Sequence, residues 1–332
     1  MTAVFWYDRA AMHSIEKEEK RMFSGTSISF PHLGITIDPS DGFFIGSFEI
    51  KWYGVIIAFG VLLAAIYTMR RCRQFGISQD ELLNVILIGL PCGILGARLY
   101  YVVFEWERFF GPNNNWYDFL KIRDGGLAIY GGVLGGALSL CVYCLCSKKR
   151  RGELLPVLDL CGFGLLIGQI CGRWGNFFNR EAFGSYTDSL FAMRVAADRV
   201  PSTSTELPLL LQKAQEGGYV GFVQVQPTFL YESVWNLIGF VLLHFLSKKR
   251  RFDGEIFLGY IAWYGLGRAI IEGMRTDSLY LGPLRVSQWV GGLSCLIALG
   301  IIVYVLAVRR PDGSKMLVNR SSAEGENENA AE

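Results

Sequence analysis

The sequence predicts an all-α polytopic membrane protein, with seven transmembrane helices that carry a small extracytoplasmic head and an N-terminal arm. Three observations lead there. Of the 332 residues 51% are hydrophobic and only 19% are charged, against about 25% charged in a typical soluble domain. The deficit falls in seven largely apolar stretches, each close to the roughly 20 residues that a helix needs to cross a bilayer. Four short basic clusters stand at every second boundary of those stretches. A soluble globular protein, a disordered chain and a nucleic-acid binder are excluded, and a formal net charge of +2 sets up no field for a polyanion.

In chain order, residues 14–21 (SIEKEEKR) are charged where a signal peptide needs an apolar core. Residues 26–50 alternate polar and apolar side chains around Pro and Gly, the pattern of short strands or an extended arm. The spans are expected over residues 52–69, 82–104, 127–146, 154–172, 229–246, 256–272 and 286–308. Arg70, Arg71 and Arg73 follow the first; Lys148, Lys149, Arg150 and Arg151 the third; Lys248, Lys249, Arg250 and Arg251 the fifth; Arg309, Arg310 and Lys315 the seventh. Seven spans put all four clusters on one face, which the positive-inside rule makes cytoplasmic. The N-terminus is then outside and the C-terminus inside. Residues 1–51 form an outer segment and arm, 52–308 the membrane domain with a head loop at 173–226, and 309–332 a polar, disordered tail. The head loop carries a helical pattern at 207–215, and a structureless loop of its length would be unusual.

An ionisable residue inside a span marks a functional site by default. Arg98 lies in the second span, Asp159 in the fourth and Glu232 near the outer end of the fifth. In the sixth, Tyr264, Arg268, Glu272 and, just beyond it, Arg275 stand at i, i+4, i+8 and i+11, on one helix face. A purely structural Arg268–Glu272 pair is the competing reading. The densest run follows the fourth span: Gly172-Arg173-Trp174-Gly175-Asn176-Phe177-Phe178-Asn179-Arg180-Glu181. A continuing helix would align Arg173, Asn176 and Arg180; snorkelling would account for Arg180 but not for two amides and a carboxylate beside two glycines. Asp124-Gly125-Gly126 and Tyr130-Gly131-Gly132 bracket the start of the third span, where helix packing through small residues competes with anion binding. The polar groups converge on the outer leaflet, and paired arginines there suit an anionic lipid headgroup. Cys141-x-x-Cys144-x-Cys146 reads as small packing residues, so neither a metal nor another cofactor is expected. With only three histidines (His13, His32, His244), a His-based triad has little to draw on.

The Gly172 to Glu181 run resembles the signature of bacterial phosphatidylglycerol–prolipoprotein diacylglyceryl transferases. The likeness extends through Trp52-Tyr53-Gly54, Gly96-Ala97-Arg98, Asp124-Gly125-Gly126, Gln226-Pro227-Thr228 with Tyr231-Glu232, and Tyr264-Gly265-Leu266-Gly267-Arg268, over about residues 30 to 308. It implies a multi-pass protein of the bacterial plasma membrane. Such an enzyme moves the diacylglyceryl group of phosphatidylglycerol onto the lipobox cysteine of a preprolipoprotein signal peptide, releasing glycerol 1-phosphate. The family's essential arginines correspond to Arg173 and Arg268, and its other important positions to Tyr53, Asn176, Glu181, Gly184, Glu272 and Arg275. Where many members have His before the third span's Gly-Gly, this chain has Tyr130.

The chemistry agrees with the residues. Only a thiolate attacks well, and a free thiol has a pKa near about 8.5. The departing phosphate gains negative charge, which guanidinium groups stabilise; Arg173 and Arg268 are the candidates. Tyr130 or Tyr53 would hydrogen-bond the thiol or the phosphate, although a pKa of about 10 makes tyrosine a reluctant base. A transporter or flippase of an anionic lipid is the alternative, but such folds favour repeats and midplane sites, and neither is evident. A seven-helix receptor predicts a cavity without a reaction.

Overall fold

The computed structural model describes residues 27–110, 116–121, 125–146, 150–202, 204–219, 221–275 and 280–319. The charged start, Asp124, Lys148 and Lys149, and most of the C-terminal tail lie outside these. Helices stand where the apolar runs place them: α1 Trp52–Arg71, α2 Gln79–Phe104, the short α3 Trp106–Phe110, α4 Ile129–Leu145, α5 Leu154–Asn179, α6 Leu207–Glu216, α7 Thr228–Leu246, α8 Glu255–Ile271 and α9 Val286–Tyr304. Five of them (α1, α2, α5, α7 and α9) are long and apolar enough to cross a membrane. The chain is therefore a polytopic membrane protein. Helices α4 and α8 have 17 residues each, about 26 Å of rise against a hydrocarbon core of about 30 Å. The expected third span loses its first two residues because Ala128 is extended, its N–H donating to Ala97 O at 3.0 Å.

Local sequence accounts for the helix ends. Ser78 opens α2 with a capping box: its hydroxyl accepts from the Glu81 N–H while Glu81 accepts from the Ser78 N–H, satisfying two orphan donors. Asp159, flagged as an intramembrane charge, is fully buried and accepts from the N–H groups of Gly254 and Phe257 at 2.8 and 2.9 Å. It caps the start of α8 from a neighbouring helix, where the dipole favours a carboxylate.

The chain forms two compact units: one of Met1–Leu62, Leu166–Leu242 and Ile261–Leu299, the other of Leu63–Leu165, Leu243–Tyr260 and Gly300–Glu332. In the first, the N-terminal arm supplies β1 Ile28–Phe30, β2 Ile35–Ile37, β3 Gly42–Ile45 and β4 Phe48–Lys51, and the loop after α5 supplies β5 Met193–Ala196 and β6 Phe222–Val225. The arm is not a separate appendage. Its first two strands complete an antiparallel sheet in the order β2-β1-β5-β6, with Ser29 opposite Arg194. Ile28, Phe30, Val195, Val223 and Val225 bury against Phe177, Leu210 and Phe229, so the sheet rests on the end of α5 and the start of α7. Outside the core, Asp188 accepts from the Gln224 amide at 3.0 Å and bonds His32 at 2.9 Å, tying the β1–β2 turn to the head loop. Strands β3 and β4 form a hairpin of their own, and β7 Tyr280–Leu281 pairs with β8 Leu284–Arg285 just before α9.

In the second unit α2 and α4 touch backbone to backbone: a Cβ on Gly131 would lie 2.3 Å from Gly96 O. Only glycine allows that approach. The 309–332 tail, expected to be disordered, begins ordered: the Leu317 N–H donates to Asp253 at 2.8 Å, and Val318 lies against Gly76.

Candidate active site

Helix α5 runs seven residues past the expected span end, which puts Arg173, Asn176 and Asn179 of the signature on its last turns. Arg173 Nη2 lies 2.8 Å from Glu232 Oε2 on α7, and its Nη1 donates to Asn176 Oδ1 at 3.3 Å. Helix α8 brings Arg268 to the same carboxylate at 3.4 Å and to Glu272 at 2.5 Å. Arg275, beyond the 3-10 turn that follows α8, reaches Glu232 at 3.7 Å and Glu272 at 4.0 Å. Arg173 and Arg268, 95 positions apart, thus share one carboxylate. Glu232, which the sequence marks only as an ionisable residue near the outer end of the fifth span, is the residue about which the others are organised. Glu272, also buried, is held from the backbone side, where Arg285 Nη1 donates to its carbonyl oxygen. Arg285 carries no sequence signal of this role because it ends the two-residue strand β8 just before α9.

Glu181 pairs with no guanidinium among the described residues. Instead its Oε1 accepts from the amides of Asn176 at 2.9 Å and Asn179 at 3.1 Å, and so orders the end of the signature. Arg180 does not continue the Arg173 face. The helix stops at Asn179, Arg180 turns to a φ of 55°, and its side chain is fully buried rather than snorkelling. It pairs with Asp41 at 2.5 Å and donates to the carbonyls of Phe178 (3.0 Å) and Pro39. The buried arginine pins the arm to the signature.

The remaining expected residues divide between the units. The Tyr53 ring lies against Gly175, where a Cβ would stand 2.7 Å from Tyr53 Cδ2; the signature glycine is the space for that ring. Gly184 donates to Gln226 O at 2.9 Å and bridges Arg275, fastening the head loop to the segment after α8. Tyr130 belongs to the second unit, in the first turn of α4 and 64% exposed. Arg98, in that unit too, donates to the carbonyls of Phe119 (2.7 Å), Gly125 (2.7 Å), Gly126 (2.9 Å) and Lys121 (3.1 Å). It clasps the loop ahead of α4.

Comparison with known proteins decides the family. A profile described as prolipoprotein diacylglyceryl transferase matches residues 42–305. The chain belongs to that family. A phosphatidylglycerol–prolipoprotein diacylglyceryl transferase of Streptococcus sanguinis (strain SK36) is 42% identical over 275 residues, covering 80% of this chain and 95% of its own. One of Clostridium botulinum (strain Langeland) is 39% identical over 264 residues, 80% and 96% of the two chains. One of Listeria monocytogenes (strain EGD-e) is 38% identical over 262 residues, 78% and 87%. The matched span includes every residue of the Arg173–Glu232–Arg268 cluster, so the geometry above lies within the diacylglyceryl transferase region.

Proposed function

We propose that this chain transfers the diacylglyceryl group of phosphatidylglycerol to the lipobox cysteine of a preprolipoprotein, the first step of lipoprotein maturation. The cysteine sulfur attacks the diacylated glycerol carbon that bears the phosphate. A C–S bond forms, the C–O bond breaks, and glycerol 1-phosphate leaves with the electron pair while the thiol gives up its proton. The observation that carries this reading is the shared carboxylate. Among the described residues, the guanidinium groups of Arg173, Arg268 and Arg275 gather on the carboxylates of Glu232 and Glu272. Three guanidinium groups gathered here are placed to meet a phosphodiester and the further charge that develops on the leaving phosphate. Arginine suits this role because its planar fork meets two phosphate oxygens at once. In this reading Asn176, Glu181 and Gly184 serve lipid binding beside these arginines, and Tyr53, whose ring packs on Gly175 of the signature, hydrogen-bonds the thiol or the phosphate.

The finer topology belongs to the same reading. Helices α4 and α8 complete seven spans in a bacterial plasma membrane, with the head and arm outside and the C-terminus in the cytoplasm; the four basic clusters support that side. The test is to incubate the purified protein with phosphatidylglycerol and a lipobox peptide. Glycerol phosphate should appear in step with lipidated peptide. Movement of phosphatidylglycerol between leaflets without its cleavage would identify a flippase and overturn the proposal, and labelling of residue 200 from the cytoplasm would overturn the topology.

A further inference from the structure

The β3–β4 hairpin is a two-stranded ribbon joined by Gly46 and Ser47, with Gly46 at a φ of 63°. Its register places Phe43 opposite Ile50 and Ile45 opposite Phe48. Cross-strand partners share a face and alternate along the strand, so all four of these side chains form one apolar side. The other side holds Phe44, Glu49 and Lys51, with Glu49 and Lys51 paired at 2.6 Å. The turn end of the apolar side is uncovered, with Ile45 62% and Phe48 51% exposed, while Ile50 is half-buried and so is Phe43, which lies against the Trp52 ring at 5.1 Å; Phe44, on the other side, is 70% exposed. A lone hairpin is marginal in water, and an uncovered apolar ribbon is a liability.

Chain connectivity fixes where the ribbon stands. Strand β4 ends at Lys51 and α1 begins at Trp52 with no linker. Four strand steps at about 3.3 Å each put Phe48 within roughly 13 Å of the helix start. Helix α1 continues with outward-facing Ile57, Phe59, Leu62 and Leu63, the surface that a spanning helix shows to lipid. Trp52 is the residue type that settles at the membrane–water boundary. Its N–H donates to Asp41 O at 3.1 Å and its indole to Ser40 at 3.3 Å, so the root of the hairpin is held at that boundary. Arg180 fixes the same segment through Asp41 and Pro39.

We infer that the β3–β4 hairpin lies in the membrane interface, with Ile45 and Phe48 seated among the lipid chains and Glu49 and Lys51 facing water. The occupant of its apolar face is the bilayer, continuous with the lipid that covers α1. The inference needs α1 to span the membrane and nothing of the transfer chemistry, so it stands or falls apart from the proposed activity.

The test uses the full-length protein in phosphatidylglycerol–phosphatidylethanolamine vesicles. Ile45→Cys, Phe48→Cys and Glu49→Cys variants each receive an environment-sensitive fluorophore, with unsubstituted protein treated identically as the blank. Probes at 45 and 48 should be quenched several-fold more by lipids nitroxide-labelled at carbon 5 than by aqueous iodide. The probe at 49 should show the reverse. Iodide quenching of all three with none from lipid would overturn the inference. So would equal quenching of 45 and 49 by lipid, or protection of 45 and 48 from both quenchers with cross-linking between copies, which would make a second protomer the occupant.

Discussion

Replacing Glu232 by Gln keeps the shape and one acceptor oxygen but removes the charge shared by Arg173, Arg268 and Arg275. At 2.8, 3.4 and 3.7 Å and an effective dielectric near 20, each attraction is about 4–6 kcal/mol before desolvation is subtracted. The three arginines do not lose equally. Arg268 and Arg275 still have Glu272 at 2.5 and 4.0 Å, whereas Arg173 keeps only Asn176 at 3.3 Å among the described residues. Stranding one buried charge costs about 3–5 kcal/mol, and partial exposure of Arg173 favours the lower end. A loss of about 3 kcal/mol lowers Tm by roughly 5–10 °C in a chain of this size. Phosphatidylglycerol should then raise the variant's Tm by more than it raises the parent's, because the phosphodiester supplies the missing negative charge. Phosphatidylcholine, with no net charge, should not. Transfer to a lipobox peptide should fall at least tenfold per folded molecule. Thermal unfolding in detergent, with and without each lipid, alongside glycerol phosphate release, measures all of this. Parental stability and turnover, or equal stabilisation of both proteins by phosphatidylglycerol, would refute the assignment of Glu232 as the hub.

Arg173→Lys and Arg268→Lys keep the charge and lose the fork; transfer should nearly vanish with folding intact, and full specific activity on the same preparations would leave only a structural ion pair. Gly131→Ala sets a Cβ 2.3 Å from Gly96 O and 2.4 Å from Tyr100 Cβ. Neither can yield cheaply, so stability should drop by about 1–3 kcal/mol, while Gly136→Ala, with open space around it, should not destabilise. The Gln224 amide, and after it His32, hold the Asp188 carboxyl below its ordinary value. A lowered folded pKa adds stability above the unfolded value, lost as pH falls through the folded one, so Asp188→Asn should flatten the unfolding profile below about pH 4.

Much of this architecture was legible because it rests on local pattern. Apolar runs located the helices, alternation in residues 26–50 announced strands, and the ten-residue signature singled out Arg173. What stayed hidden depends on partners distant in sequence. Nothing near Glu232 indicates that two other helices bring arginines to it. Nor does the sequence around Asp159 disclose that it caps α8 through Gly254 and Phe257. Arg180 misled for a different reason: a left-handed φ on a residue other than glycine carries no local signal, because tertiary bonds to Asp41 and Pro39 impose it. The third span looked longer than α4 because Leu127 and Ala128 are apolar, yet Ala128 gives its N–H to Ala97.

The pairing of Ser29 with Arg194 also sets an order of events during biogenesis. Strand β1 leaves the ribosome early, and its central neighbour β5 emerges only after α1, α2, α4 and α5 have been synthesised. At about 5–20 residues per second, the β1–β2 hairpin waits on the order of ten seconds with its free edge available to any extended chain nearby. Closure of that sheet requires both segments to have reached the same side of the bilayer. On the proposed seven-span topology, in which α4 crosses the membrane with α1, α2 and α5, the head matures only from a correctly inserted molecule, and a chain with one of these helices left out would keep β1 and β5 on opposite faces, unable to close the sheet over the end of α5.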